Sequence, residues 1–332
     1  FQLGILLLLG TILCLKYRNF FFGNVSKMAM VLHIDWSYQD QLIFLPIGIS
    51  FYTLSAIGYM ADVYWGKVKA EYSLVKTALF LGFFPVIVEG PICRWEDVED
   101  TLFKNESVKA ENVFKGCYRI IWGLFKKMII ADRLAVLVDK VYVGYESYSG
   151  AVIVVAAISY TIQLYMEFSG CMDMVIGSAG LFGIRLPENF SQPFFAKTCT
   201  DFWKRWHITL GVWFKNYIFY PVSISKTARK WNKFTRKHFK GDFGKYMARM
   251  GIAAMALFPV WISNGLWHGP KWNYIFYGLY YFGLIFMGLA LEPIRDRILA
   301  VLHINPECIF YKAFQTVKML IIIFTGEMFF RG

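Results

Sequence analysis

Seven apolar runs, at 1–15, 42–60, 74–91, 151–166, 250–266, 274–291 and 317–330, leave this chain few ways to fold. A helix needs about 20 mostly apolar residues to cross a bilayer, and a run near that length with few charges reads as a spanning helix. Two further stretches, 113–138 and 202–222, are aromatic and apolar yet studded with Lys and Arg. They are expected as interfacial or re-entrant helices, or as short spans lined by protein. The run from 151 continues through Phe168-Ser-Gly-Cys-Met-Asp173 into the small residues of 177–183, which predicts a bent or broken helix. The segment Phe83-Phe-Pro-Val-Ile-Val-Glu-Gly-Pro-Ile-Cys-Arg94, with two prolines, reads as an unwound span end. The expected fold is all-α: one polytopic integral membrane domain over 1–332, multi-helix, with re-entrant or interfacial helices around a tunnel.

Composition agrees with that fold. Of 332 residues, 57% are hydrophobic and 17% charged, where a soluble domain carries about a quarter charged. The formal net charge of +12 does not point to nucleic acid, because the basic residues lie between apolar spans rather than in one soluble module. Positive loops beside anionic lipid account for it. The richest stretch, 225–245, holds Lys226, Arg229, Lys230, Lys233, Arg236, Lys237, Lys240 and Lys245 against Asp242 alone. It is expected in the cytoplasm of a multi-pass cell-membrane protein. The six cysteines show no metal-ligand spacing, so neither a disulfide framework nor a bound metal is expected. The chain begins at Phe1 and stops at Gly332 amid apolar sequence, as the middle of a longer protein would, with spans missing at both ends.

Chemistry concentrates in a few segments. His268 lies in Asn264-Gly-Leu-Trp-His-Gly-Pro270, at the end of one apolar run and just before another. An ionisable residue at such a depth is a functional-site hypothesis by default, and His exchanges a proton near neutral pH. Asn264 shares a helical face with it and can hold the ring in one tautomer. Gly265 and Gly269 have the spacing of helix contacts in membranes, and packing alone explains them. In Asp201-Phe-Trp-Lys-Arg-Trp-His-Ile-Thr-Leu210, a helix would pair Asp201 with Arg205 at i,i+4. Trp203, His207, Leu210 and Phe214 would then share one face, and the plain reading of His207 is a cap on an interfacial helix. Ser169 and Asp173 share a helical face and Glu167 does not; the two acids either line a polar cavity or pair with Arg185 or Arg205. His33, His238 and His303 read as solvated.

An ordered set of motifs resembles the membrane-bound O-acyltransferase superfamily, in its bacterial branch of alginate and other polysaccharide O-acetyltransferases. The segments are Leu45-Pro-Ile-Gly-Ile-Ser-Phe-Tyr52 with Asp62-Val-Tyr64, Gly90-Pro91, and Gly123-Leu-Phe-Lys-Lys127 with Ala131-Asp132. Phe168-Ser-Gly170, Leu181-Phe-Gly-Ile-Arg-Leu-Pro-Glu-Asn-Phe190, the Asp201–Leu210 segment, Gly265-Leu-Trp-His-Gly269 and Thr325-Gly-Glu-Met-Phe-Phe-Arg331 complete it. Asn264, Pro270-Lys271 and Met166-Glu167 depart from the family's usual residues, which bears on substrate preference.

The resemblance implies a catalytic role for His268 and a hallmark position for His207, with Asn264, Trp267, Asp201, Arg205, Trp206 and Asp173 as tunnel or supporting residues. It implies an acetyl donor, acetyl-CoA, arriving from the cytoplasm, and no bound cofactor. The acceptor would be an extracytoplasmic polysaccharide, reached directly or through a partner acetyltransferase outside the membrane. His268 would act as general base, and oxyanion donors would come from Asn264, Trp267 or a backbone amide at Gly269. Two other classes share these features. A polytopic transporter would show paired halves with matching interrupted spans, and the polar motifs here have no counterpart in the first half. A catalytically silent scaffold for a soluble acetyltransferase differs only in what His268 does.

Overall fold

The computed structural model describes residues 1–104 and 108–332. Helices account for most of them, and the β-type pairing among them is an isolated bridge between Phe190 and Trp206. Among the described residues, five helices are long and apolar enough to cross a bilayer: Gln2–Val31, Gly150–Leu181, Gly241–His268, Trp272–Ala290 and Ile309–Arg331. They run from 19 to 32 residues, against the roughly 20 a span requires. Leu6, Leu7, Val154, Phe276 and Ile321 on these helices expose large apolar side chains, as a lipid-facing surface does.

Two expected spans are shorter. In 42–60 only Ile49–Tyr64 is helical, because Gly48 turns the chain at φ +73° and its missing Cβ admits the Ile87 carbonyl. The 74–91 run divides at Phe83 into Leu74–Gly82 and Phe84–Ile87, where Pro85 cannot donate into a continuous helix. The Gly150–Leu181 helix corrects the opposite expectation: it passes unbroken through Ser169-Gly170 and Gly177. Its small residues serve packing instead. A Cβ on Gly170 would lie 2.8 Å from the Gly123 carbonyl oxygen, and one on Gly177 would lie 2.8 Å from that of Gly116.

The chain forms two compact units. The first comprises Phe1–Ile120, Val175–Pro187 and Leu266–Trp272. Its core gathers Phe80, Phe83, Trp95, Val98, Ile176 and Leu186, with the Tyr59 ring tilted against Trp95 at 4.9 Å. Trp95–Leu102 starts from a capping box in which Asp97 accepts the Arg94 backbone N–H. The second unit comprises Ile121–Met174, Glu188–Gly265 and Asn273–Gly332. One cluster there is built on Phe202, Trp206, Met319 and Ile323, another on Trp261, Tyr277, Tyr281 and Ile285. Gly278 lets its helix approach the Trp261 carbonyl, and Gly326 lets its helix approach the Tyr281 ring.

Among the described residues, three helical runs contain π turns: Leu13–Tyr17, Phe125–Ala131 and Lys215–Phe219. The last two fall inside the stretches expected to be interfacial or re-entrant. Each adds a residue to the regular turn, a feature that recurs at functional sites.

Candidate functional site

The second unit holds His207 in a corner of the chain rather than on a helix face. Thr198 caps Cys199–Trp203 by accepting the Asp201 backbone N–H, and that helix ends within two turns. Residues 205–208 then pair with 189–191: Ser191 N donates to Arg205 O at 2.9 Å, and Ile208 N to Asn189 O at 3.0 Å. His207 takes φ +47° and starts the next helix, Ile208–Phe214. A left-handed backbone at a residue with a side chain costs about 1–3 kcal/mol and persists only where the surroundings impose it. The expected common face of Trp203, His207, Leu210 and Phe214 therefore does not form.

Asn189 organises this corner. It is fully buried, and its Oδ1 accepts the Thr209 backbone N–H at 3.1 Å and the Thr209 hydroxyl at 3.0 Å. His207 Nδ1 lies 3.2 Å from the same oxygen. The backbone donor fixes which end of the amide is oxygen, so His207 carries its hydrogen on Nδ1 and, when neutral, its lone pair on Nε2. The imidazole is buried, with the Phe168 ring edge-on at 4.8 Å.

His207 and Asn264 line one cavity of about 490 Å³, together with Trp203, Trp261, Lys204 and Lys215. The rest of its wall is mainly apolar. Asn264 Oδ1 and Trp203 Nε1 are buried and have no hydrogen-bond partner among the described residues. A cavity with a few convergent polar groups in an apolar wall is the usual form of a small-molecule site.

The supporting residues separate. Asp201 and Arg205 pair as expected, Nε to Oδ1 at 2.9 Å, and Asp201 also accepts the Lys197 backbone N–H. Trp206 is buried against Phe202 and Phe190, in the core rather than the cavity wall. Asp173 pairs with Lys126 at 2.6 Å, and Glu167 with Lys127 at 2.8 Å. These partners replace the expected Arg185 and Arg205, because the Gly123–Gly170 approach brings the lysine-bearing turn against the Gly150–Leu181 helix.

In the first unit, His268 is the last residue of Gly241–His268, ended by Gly269-Pro270 as expected. It is partly buried, and the Trp267 ring meets it edge-on at 5.0 Å. Lys16 Nζ donates to the Trp267 carbonyl at 2.5 Å and to Ser50 Oγ at 3.0 Å, and the Tyr17 hydroxyl donates to the Leu266 carbonyl. Trp267 Nε1 reaches the Ser50 carbonyl at 3.4 Å.

Sequence reasoning missed three residues. Lys16 follows directly on the first apolar run, where the argument applied to His268 would have found it. Glu327 is a buried carboxyl in the last long helix; Tyr277 donates to its Oε1 at 3.3 Å, and its Oε2 has no partner among the described residues. Asn189 lies within the Leu181–Phe190 motif, but its role does not show there, since one amide in a loop does not reveal which donors it will meet.

The sequence profile of the membrane-bound O-acyltransferase family matches residues 68–237, a segment that includes His207 and Asn189 but not His268. The chain is similar to a probable alginate O-acetylase of Pseudomonas putida, 32% identical over 320 residues, covering 96% of this chain and 58% of that protein. A peptidoglycan O-acetyltransferase of Helicobacter pylori is 30% identical over 293 residues, covering 80% and 50%. A teichoic acid D-alanyltransferase of Bacillus subtilis is 29% identical over 241 residues, covering 71% and 56%. The chain spans about half the length of these curated relatives.

Proposed function

Because the chain belongs to the membrane-bound O-acyltransferase family, we propose that it moves an acetyl group from a thioester to a polysaccharide hydroxyl, with His268 as general base. The carrying observation is the imidazole at the end of a membrane-length helix, in a turn fixed by side chains from the rest of its unit. His268 takes the proton of the acceptor hydroxyl as its oxygen attacks the thioester carbonyl. The C–O bond forms, the C–S bond breaks, and the imidazolium returns its proton to the thiolate. A positioned base contributes typically 10²–10⁴-fold.

The donor in this reading is acetyl-CoA, arriving from the cytoplasm. Two relatives are named for acetyl transfer, to alginate and to peptidoglycan, and the third for D-alanyl transfer to teichoic acid. Acetyl and a polysaccharide acceptor follow the first two. Delivery to that acceptor is direct or passes through an extracytoplasmic partner acetyltransferase.

The test uses the full-length protein in lipid nanodiscs with labelled acetyl-CoA. His268→Ala keeps Gly265 and Gly269 for packing, so it should insert and fold while transfer falls at least ~10²-fold. A folded His268→Ala protein with near-normal transfer sinks this mechanism and brings the scaffold reading forward.

A further inference from the structure

The Gly241–His268 helix ends where backbone capping is scarce. The last four carbonyls of a helix have no intrahelical donors, and Pro270 supplies no N–H. At membrane depth such groups need a partner from the protein itself. Two of them, on Leu266 and Trp267, take theirs from neighbouring residues of one other helix, Tyr17 and Lys16. Adjacent residues on a regular helix diverge by about 100°. Lys16 and Tyr17 close the π turn Leu13–Tyr17, whose wider winding narrows that divergence, and the two side chains reach adjacent carbonyls. An ammonium is also the favourable charge at a helix C-terminus.

A third element joins them. Lys16 donates to Ser50 Oγ in the first turn of Ile49–Tyr64, and Trp267 Nε1 points to the Ser50 carbonyl. The Phe51 ring meets Trp267 edge-on at 5.4 Å. The residue before His268 is thus held through both its carbonyl and its indole.

We propose that Lys16 and Tyr17 are positioning residues for His268, clamping the two preceding carbonyls so that the imidazole is presented in one orientation. This rests on His268 being the base. The clamp acts on the geometry of the chemical step and not on donor binding, so its loss lowers kcat and leaves KM in place.

Full-length Lys16→Met, Lys16→Arg and Tyr17→Phe proteins test it, with initial rates measured against acetyl-CoA concentration and thermal midpoints taken in parallel. Displacing a catalytic group by about 1 Å costs on the order of 10²-fold, so Lys16→Met should lose roughly 10- to 100-fold in kcat with KM nearly unchanged. Lys16→Arg, which keeps a cationic donor, should recover most of that loss. Tyr17→Phe, which removes a single hydroxyl, should lose several-fold in kcat with KM and thermal midpoint nearly unchanged, and it decides the matter if Lys16→Met does not fold. In a His268→Ala background, adding the Tyr17→Phe or Lys16→Met change should leave the residual rate within about twofold, as expected when one residue acts only through the other. Folded Lys16→Met or Tyr17→Phe proteins with unchanged kcat overturn the clamp, and so does a loss confined to KM or one that persists without His268. Normal turnover by His268→Ala itself overturns the base assignment instead, which separates the two failures.

Discussion

His207 Nδ1 and Asn189 Oδ1 stand 3.2 Å apart, and the oxygen that receives the imidazole also receives two donors from Thr209. One buried amide therefore sets the ring's tautomer and fastens the start of Ile208–Phe214. Asn189→Leu should keep the volume but leave the Thr209 donors and His207 Nδ1 without their acceptor. Each orphaned buried donor costs about 1–3 kcal/mol, so the variant should unfold well below the native temperature or fail to accumulate. Thr209→Val removes only the hydroxyl contact and should cost about 1 kcal/mol. Thermal unfolding in detergent orders the two, and equal midpoints would mean that Asn189 does not organise the corner.

Lys126 and Asp173 pair at 2.6 Å with both side chains largely buried. Removing one partner leaves an uncompensated charge, a loss of about 3–5 kcal/mol, whereas replacing both by apolar residues is often near neutral. Lys126→Met and Asp173→Leu should each lower the yield of folded protein sharply, and the double variant should recover toward the native yield. A double variant as poor as the worse single one would show that Asp173 has a role beyond this pair.

Two glycines should respond oppositely to alanine. A Cβ at Gly170 would press on the Gly123 carbonyl oxygen, while one at Gly283 meets nothing within 4 Å. Gly170→Ala should separate the two helices and destabilise. Gly283→Ala should stabilise its helix by about 0.5–1 kcal/mol, the entropic cost of glycine in a helix interior. The pair of melting curves checks it, and a neutral Gly170→Ala would disprove the close approach.

The basic helix Lys226–His238 is expected on the cytoplasmic side. Ser225 caps it through the Ala228 N–H at 3.2 Å, so a reporter cysteine belongs at exposed Lys230 instead. In intact cells a membrane-impermeant thiol reagent should leave Lys230→Cys unlabelled, and permeabilised cells should label it. Rapid labelling from outside would reverse the topology and the side from which the donor arrives.

What could be read from residues alone followed the physics of each signal. Apolar length is local, so 274–291 and 317–330 predict Trp272–Ala290 and the C-terminal part of Ile309–Arg331 closely. The Asp201–Arg205 pair follows from helical spacing within a single turn. What failed depended on partners distant in sequence. Gly170 and Gly177 weaken a helix in isolation, and only the facing Gly123 and Gly116 turn them into packing contacts within an unbroken helix. His207 left its expected helix face because residues 189–191 compete for the backbone of the corner. Lys126 and Lys127 were not foreseen as partners of Asp173 and Glu167, since a π turn shifts the register on which such pairing is judged.

The same π turn sets where chain length is constrained: in the regular helix that follows it. The wide turn Phe125–Ala131 can give up its extra residue to regular winding with Asp132–Val143 still in phase, whereas one residue deleted from that following helix ahead of Val138 would rotate the rest of it by about 100°. Val138 and Val141, now buried, would swing outward, and Asp139 would lose Arg331. Substitutions in that helix are each judged by a local fit, but a single-codon deletion would be judged by all of the helix beyond it. Variation in length should therefore be purged from this helix even where variation in side chains is tolerated.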